Sequence, residues 1–230
     1  MATIKTLTAA DIKQIAVLPF QRQASVRQTL VNSMKDHGFL GTILMIKSSL
    51  ISGVEKLYII DGQHRFLAAR LLNLPITANI IEVNTTKEYL VELISTLNST
   101  GKKWTIEDYI NAYASLNNES YVKLINLMAK CKKLSSNSVV NLITLRQGKS
   151  IKNGKFTFLE STGNNILILN TLLHKIPKQH VRDLYAILKV ISNKKFDEHV
   201  FIKNYLNNIN TLTPLLPSEK ERIYNSWFTK

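Results

Sequence analysis

The chain has 230 residues, 45% of them hydrophobic and 20% charged, which excludes an intrinsically disordered protein and a membrane-spanning one. Its 30 Lys and Arg residues outnumber 16 Asp and Glu residues, and the net charge of +14 favours polyanionic partners such as nucleic acids. A single Cys excludes an internal disulfide and fits a reducing compartment. The start of the chain carries no apolar run, so we expect no secretory signal, no membrane partner and a cytoplasmic location.

Short strand-like and helical segments alternate in the first region of the chain, residues 1–96. Apolar runs of four to eight residues predict strands, and apolar residues at helical spacing predict helices. The predicted elements, in order, are a helix after Ser25, strands at 42–46 and 57–60, a helix at 64–72 and a strand at 76–83. This alternation predicts a small α/β domain.

The most informative segment of this region is 59–70, an apolar strand that breaks at Asp61-Gly62 and continues as a helix. A helix start offers unpaired backbone N–H groups and the positive end of the helix dipole, which favour a bound phosphate. Gly62 permits a tight turn, and Arg65 can grip a phosphate with two parallel hydrogen bonds. An ordinary βα turn with exposed polar residues is the alternative.

The string D-G-Q-H-R-F-L-A-A in this segment resembles the signature of the ParB/sulfiredoxin superfamily, in which a Gly-x-x-Arg turn binds a nucleotide phosphate. Residues 17–22 resemble the Pro and Gln-Arg element of ParB N-terminal domains, 30–40 the helix that follows it, and 97–105 the Glu-Asn-x-x-Arg box. The likeness runs from about residue 12 to about residue 147.

The resemblance implies a site for a nucleoside triphosphate, CTP or ATP with Mg²⁺. The residues that it assigns to nucleotide or phosphate binding are Arg22, Gly62, Gln63, His64, Arg65, Asn98 and Lys102. Gln63 stands where ParB proteins carry Glu and sulfiredoxins carry the reactive Cys, so reductase chemistry lacks its nucleophile. We therefore expect no sulfiredoxin activity and little or no nucleotide hydrolysis, and we assign no catalytic residue.

The sequence offers neither a metal-binding cluster nor a reactive thiol. The five His residues are scattered, and no Cys/His group has ligand spacing, so we predict no metal site. Cys131 lies in an apolar-periodic stretch, which favours a buried structural thiol.

The second region, 97–155, predicts an all-helical fold with a helix-turn-helix. Thr105 to Asp108 has the pattern of a capping box at a helix start. Helical spacing of apolar residues predicts one helix over 121–133 and a second over 137–147 that Gly148 ends, with Leu134-Ser135-Ser136 as turn and N-cap. The helix-turn-helix of ParB proteins lies in the same place. A plain helical hairpin is the alternative.

Between Ser120 and Leu159 the sequence contains no Asp or Glu but many basic residues. Such a segment favours contact with DNA phosphates, although a solvated basic face gives the same pattern. If the hairpin docks as helix-turn-helix motifs do, its second helix enters the major groove. The predicted DNA-binding residues are Lys132, Lys133, Ser136, Asn137, Asn141, Arg146 and Lys149.

The third region, 156–230, is helical in pattern and carries no chemistry that we recognise. Helices are predicted at 165–176, 181–192, 199–208 and 218–228, with breaks at Pro177, Pro214 and Pro217. Such a region could form a homodimer, bind another protein or buttress the hairpin.

The whole chain is thus predicted to have an α+β fold, with a small ParB/sulfiredoxin-like domain before the helical regions. The resemblance implies a DNA-binding protein under nucleotide control, acting in DNA partition or regulation in a bacterial or phage-infected cell. A nuclease or nucleotide hydrolase of the same fold is one alternative, and a non-catalytic interaction protein is the other.

Overall fold

The computed structural model describes residues 2–82, 86–98, 103–144, 148–177 and 181–228. The chain divides into two compact units, a first unit Met1–Leu116 and a second unit Asn117–Lys230. This boundary lies within the predicted middle region, and the three-part division stays a prediction. The mixed α+β class that the sequence predicts is confirmed. No described helix combines the length and the apolar run that crossing a bilayer requires.

The first unit contains one mixed five-stranded sheet. Its strands are β1 (Ala2–Leu7), β2 (Ala16–Val17), β3 (Ile43–Ser48), β4 (Lys56–Asp61) and β5 (Ile76–Glu82). Their order is β1-β5-β3-β4-β2. β1 pairs with β5 and β3 pairs with β4 in antiparallel fashion, whereas β3 with β5 and β2 with β4 are parallel. The three predicted strands are confirmed as β3, β4 and β5, and β1 and β2 form the two edges.

Five helices accompany this sheet in the first unit. They are α1 (Ala9–Ile12), α2 (Gln28–His37), α3 (Gln63–Leu71), α4 (Lys87–Leu97) and α5 (Ile106–Ser115). Val31 and Met34 of α2 and Phe66 of α3 pack into a buried core with Ile43, Met45, Ile59, Ala78 and other residues of one sheet face. α4 contacts β4 and α5, and it buries Leu90, Val91 and Ile94. This arrangement positions the carboxyl end of β4 between α3 and α4.

The second unit is all-helical, as predicted, over the residues that the structure describes. Its helices are α6 (Glu119–Lys130), α7 (Ser136–Thr144), α8 (Gly148–Lys152), α9 (Glu160–Leu172), α10 (Val181–Ile191), α11 (Glu198–Asn207), α12 (Ile209–Leu212) and α13 (Pro217–Ser226). α6 ends earlier than predicted because Cys131, with φ −85° and ψ 78°, leaves helical geometry. Cys131 is buried, as predicted, and burial raises the pKa of its thiol. Gly148, predicted to end the second helix of the hairpin, is the first residue of α8.

The last helices of the second unit pack against one another through buried side chains. α10 packs against α13, where Lys220 donates to Asp183 in an ion pair of 3.0 Å between largely buried side chains. Next to it lies an aromatic cluster in which the Phe201 ring stands edge-on to the Tyr224 ring at 5.3 Å between centroids. Burial raises the pKa of the Tyr224 phenol.

Candidate phosphate-binding cleft and nucleic-acid interface

A β-bulge at the end of β4 shapes the first candidate site. Leu44 pairs with Asp61 and Met45 pairs with Ile59, which leaves Ile60 as the extra residue in the ladder. The amide Nε2 of Gln21 donates to the Ile60 carbonyl oxygen at 3.0 Å. The bulge therefore turns the end of β4 toward the segment that follows β2.

The turn from β4 into α3 leaves the start of the helix open. Gly62 is the N-cap, with φ 89° and ψ 18° in the left-handed region, and no described side chain caps the helix. The Phe66 N–H donates to the Gly62 carbonyl at 2.9 Å as the first helical hydrogen bond. The N–H groups of Gln63, His64 and Arg65 precede it and have no acceptor within the helix. The predicted strand, glycine turn and helix are confirmed.

The guanidinium of Arg65 lies between two glycines. A Cβ at Gly41 would stand 2.8 Å from its Nη1, and a Cβ at Gly62 would stand 3.3 Å from its Nη2. Within the described part of the chain, Arg65 forms no ion pair with a carboxylate. Its charge is therefore available to a bound anion. Gly41 was not among the predicted site residues.

Replacing Gly41 by Ala should displace this guanidinium. We expect nucleotide binding to weaken by about 1 kcal/mol, because the charge-assisted contact of Arg65 is misplaced. Gly53 provides a matched control, since it is also exposed, has a φ of +72° against +90° at Gly41, and has nothing within 4 Å of the position that a Cβ would take. Both variants carry left-handed strain of about 1–2 kcal/mol. Calorimetry of CTP binding should separate them, and equal affinities of the two variants would contradict the prediction.

Arg22 is held by the segment that begins α5. Its Nη2 donates to the Lys103 carbonyl and to Asp108 Oδ2, the latter at 2.7 Å. Asp108 also accepts from the N–H and the hydroxyl of Thr105 and closes the predicted capping box. Burial alone would raise the pKa of Asp108, but the hydrogen bonds from Arg22 and Thr105 outweigh it and lower the pKa to about 2.

The Asp108→Asn variant should lose stability at neutral pH. Because the folded-state pKa lies below the ordinary 3.8, Asp108 stabilises the fold above about pH 4, and this contribution disappears as the pH falls from 4 to 2. We expect a loss of about 1–2 kcal/mol at pH 7, measured by urea unfolding. Asp11→Asn is the control, because Asp11 closes an equivalent capping box with Thr8 at the start of α1 and has no arginine partner among the described residues. If both variants lose the same stability, the contact with Arg22 contributes nothing.

His64 joins the first turn of α3 to the loop that precedes α2. Its Nδ1 lies 2.7 Å from the Ser25 carbonyl oxygen, so Nδ1 carries the hydrogen and donates. Its Nε2, 3.5 Å from Arg27 Nη2, is then free to accept from that guanidinium. His64 therefore brings the Arg27 side chain to the start of α3.

These elements enclose a cleft of about 540 Å³ in the first unit. Of the residues predicted to bind nucleotide or phosphate, Arg22, Gly62, Gln63, His64, Arg65 and Asn98 line it, and Lys102 lies outside the described residues. The prediction missed Gln21, Gln23, Ala24, Arg27, Ile60, Asp61, Ile94 and Trp104. Gln21 is chemically distinctive, because its Oε1 is buried and has no hydrogen-bond partner in the described part of the chain. The binding roles of the predicted residues stay a prediction.

Metal ligands are sparse in and around this cleft. Asp61 is exposed, and it is the one acidic residue among the described residues that line the cleft. In the described ranges, no three His, Cys, Asp or Glu side chains lie close enough to share a metal ion. A divalent cation would therefore have to arrive with phosphate oxygens as ligands.

The second candidate site is the helical hairpin of α6 and α7 in the second unit. The hydroxyl of Ser135 accepts from the Ser138 N–H at 3.2 Å and so caps the start of α7. The N–H of Lys133 donates to Oδ1 of Asn170, a buried side chain of α9, at 2.9 Å. The turn between the two helices is thus fixed at both of its ends.

Only some side chains of the hairpin are exposed to solvent. On α7 the residues 138–140 and 142–144 are buried, whereas Asn137 and Asn141 are exposed and Ser136 is half-buried. Lys132 and Lys133 are exposed in the turn. Of the remaining residues predicted to bind DNA, Arg146 lies outside the described residues, as does the side chain of Lys149.

The segment between Ser120 and Leu159, which contains no Asp or Glu, is less positively charged in the folded structure than its sequence indicates. The ammonium of Lys123 contacts Glu119 at 2.7 Å and Glu160 at 2.8 Å, two residues that flank the segment. Hydrogen bonds from the ammonium to these carboxylates raise the pKa of Lys123. The charge of Lys123 is therefore balanced by two acids, whereas Lys130, Lys132, Lys133, Lys152 and Lys155 of this segment are exposed.

Neither a protein-family model nor a curated protein sequence matches this chain. Among solved structures, the chain is similar to the C-terminally truncated chromosome-partitioning protein ParB from Caulobacter crescentus complexed with CTP-gamma-S, at 15% identity and a TM-score of 0.34, over 89% of this chain and 99% of the other. It is also similar to that truncated ParB complexed to the centromeric parS site, at 13% identity and a TM-score of 0.33, over 96% of this chain and 99% of the other. Both TM-scores are low, so these likenesses assign neither a family nor a function to this chain.

Proposed function

We propose that the first unit binds the phosphate groups of a nucleotide in the cleft at the start of α3. The observation that carries this proposal is the Arg65 guanidinium, which has no carboxylate partner among the described residues and lies beside the open N-terminus of the helix. Helix dipole, free N–H groups and guanidinium all favour an anion at this point. The resemblance of the 59–70 string to the phosphate turn of the ParB/sulfiredoxin superfamily supports the same role.

A nucleotide fits this cleft better than inorganic phosphate does. The volume of about 540 Å³ is in the range of small-molecule pockets and exceeds what one phosphate needs. CTP and ATP, with Mg²⁺ carried on the phosphates and Asp61 as a protein ligand, are the candidates.

The second unit is proposed to bind duplex DNA through the α6–α7 hairpin. Support comes from its two helices joined by a short turn, from Lys132 and Lys133 exposed in that turn, and from the net charge of +14 of the whole chain. A protein that binds both nucleotide and DNA suits a role in DNA partition or regulation. No cluster of carboxylates in the described residues supports a metal-dependent nuclease.

Two measurements on the full chain test the two parts of this proposal. Calorimetry of the full chain with CTP, ATP and inorganic phosphate, with and without Mg²⁺, should show a nucleotide bound more tightly than phosphate. A gel shift with the same nucleotides should show bound DNA that is intact when it is recovered. Cleaved DNA, or phosphate released well above background, would support the nuclease or hydrolase alternative, and failure to bind either ligand would leave an interaction protein.

A further inference from the structure

The exposed stripe of α7 consists of amides. Asn137 and Asn141 are its two exposed side chains, and neither amide group has a hydrogen-bond partner among the described residues. Asn is a weak helix former, so nothing in helix stability favours it at two exposed positions one turn apart. The stripe therefore offers two paired sets of donor and acceptor atoms to a partner outside the unit.

The backbone that carries this stripe is fixed by other helices. Residues 138–140 and 142–144 bury the opposite side of α7. The Tyr185 hydroxyl of α10 donates to the Asn141 carbonyl oxygen at 2.8 Å, and Asn170 of α9 holds the turn before α7. The two amide side chains thus project from a rigid element, as direct recognition requires.

The chemistry of the amide points to one base. In the major groove, adenine presents the N7 acceptor beside the N6 donor, which an Asn side chain can pair with two hydrogen bonds. Guanine presents two acceptors there and is matched by Arg or Lys. On a helix that rises about 1.5 Å per residue, positions four apart are separated by about 6 Å, roughly two base-pair steps.

We propose that Asn137 and Asn141 read adenines in the major groove of duplex DNA, while Lys132 and Lys133 contact the flanking phosphates. This inference rests on the proposed DNA binding and adds the identity of the bases that are read. It separates the residues that set affinity, in the turn, from those that set sequence preference, on α7.

The test uses 7-deazaadenine, which lacks the N7 acceptor and keeps Watson–Crick pairing. Duplexes that the full-length protein selects from a random pool are resynthesised with 7-deazaadenine, or with 7-deazaguanine as a control. We expect the adenine analogue to weaken binding about 10-fold and the guanine analogue to leave it unchanged. Asn137→Ala and Asn141→Ala should bind the ordinary duplex more weakly and lose sensitivity to the analogue, whereas Asn207→Ala, an exposed Asn on α11, should behave as the parent.

The outcomes separate this inference from the proposed function. DNA binding with unchanged affinity for the 7-deazaadenine duplex overturns adenine reading and leaves the hairpin as a DNA-binding element. The absence of DNA binding by the parent protein overturns both. Because the comparison of duplexes uses the unmodified protein, a variant that fails to fold does not decide the result.

Discussion

Replacement of Arg65 by Ala is expected to weaken nucleotide binding by about 1.5–3 kcal/mol, roughly 10- to 150-fold in Kd. The guanidinium lies beside the open start of α3 and forms no ion pair with the described residues, so its removal deletes a contact to the ligand and leaves the internal ion pairs intact. Calorimetry with CTP and ATP measures the change.

Arg70 supplies the matched control for this variant. It lies on the same helix, is exposed, and stands over the Phe66 ring at 5.5 Å from the centroid, outside the residues that line the cleft. The Arg70→Ala variant should therefore keep the parent affinity. If the Arg65 variant also keeps it, the phosphate site lies elsewhere on the chain.

The second variant with a large expected effect changes Lys132, Lys133, Arg146 and Lys149 to Gln together. We expect binding to weaken for every DNA sequence, because these residues are proposed to contact phosphates and not bases. The slope of log affinity against log salt should fall by about 0.9 for each phosphate contact that is lost. Fluorescence anisotropy at several salt concentrations provides both quantities.

A second fourfold variant controls for net charge. This variant changes four exposed basic residues outside the α6–α7 hairpin, which are Lys194 and Lys195 in the turn between α10 and α11, Lys203 on α11 and Arg222 on α13. Changing them to Gln removes the same charge and should leave most of the affinity in place. Should the hairpin variant bind DNA as tightly and with the same salt slope as the parent, the basic turn is a solvated surface and the proposed DNA binding by the hairpin fails.

Sequence patterns predict the interior elements of the first unit and miss its edges. β3, β4 and β5 lie inside the sheet and bury many of their side chains, which are therefore apolar. These apolar runs are the pattern by which the sequence predicts the three strands. β1 is an edge strand in which every residue before Leu7 is exposed, and β2 has two residues. α4 was also missed, although Thr86 caps it by accepting from the Tyr89 N–H. The edge strands β1 and β2, which are exposed or short, give little periodic signal to read.

In the candidate cleft, contacts between residues that are neighbours in the sequence were predicted, and contacts between distant residues were missed. The turn at Gly62 was predicted because its strand, glycine and helix are consecutive. Gly41 acquires its importance from Arg65, a residue 24 positions later, and Gln21 from a bulge at Ile60. Arg27 lies at the cleft beside a distant residue as well, with its Nη2 3.5 Å from Nε2 of His64. Contacts of this kind depend on strand register, which a single sequence does not specify.

The hydrogen bond from the Lys133 N–H to Asn170 has a consequence for dissecting the protein. The side chain that fixes the hairpin turn belongs to α9, and the hydroxyl that holds the Asn141 carbonyl belongs to α10. A fragment that stops after α8 would retain every predicted DNA-binding residue and lose the partners that orient α7. The hairpin is therefore no portable module, and transplanting it requires α9 and α10 as well.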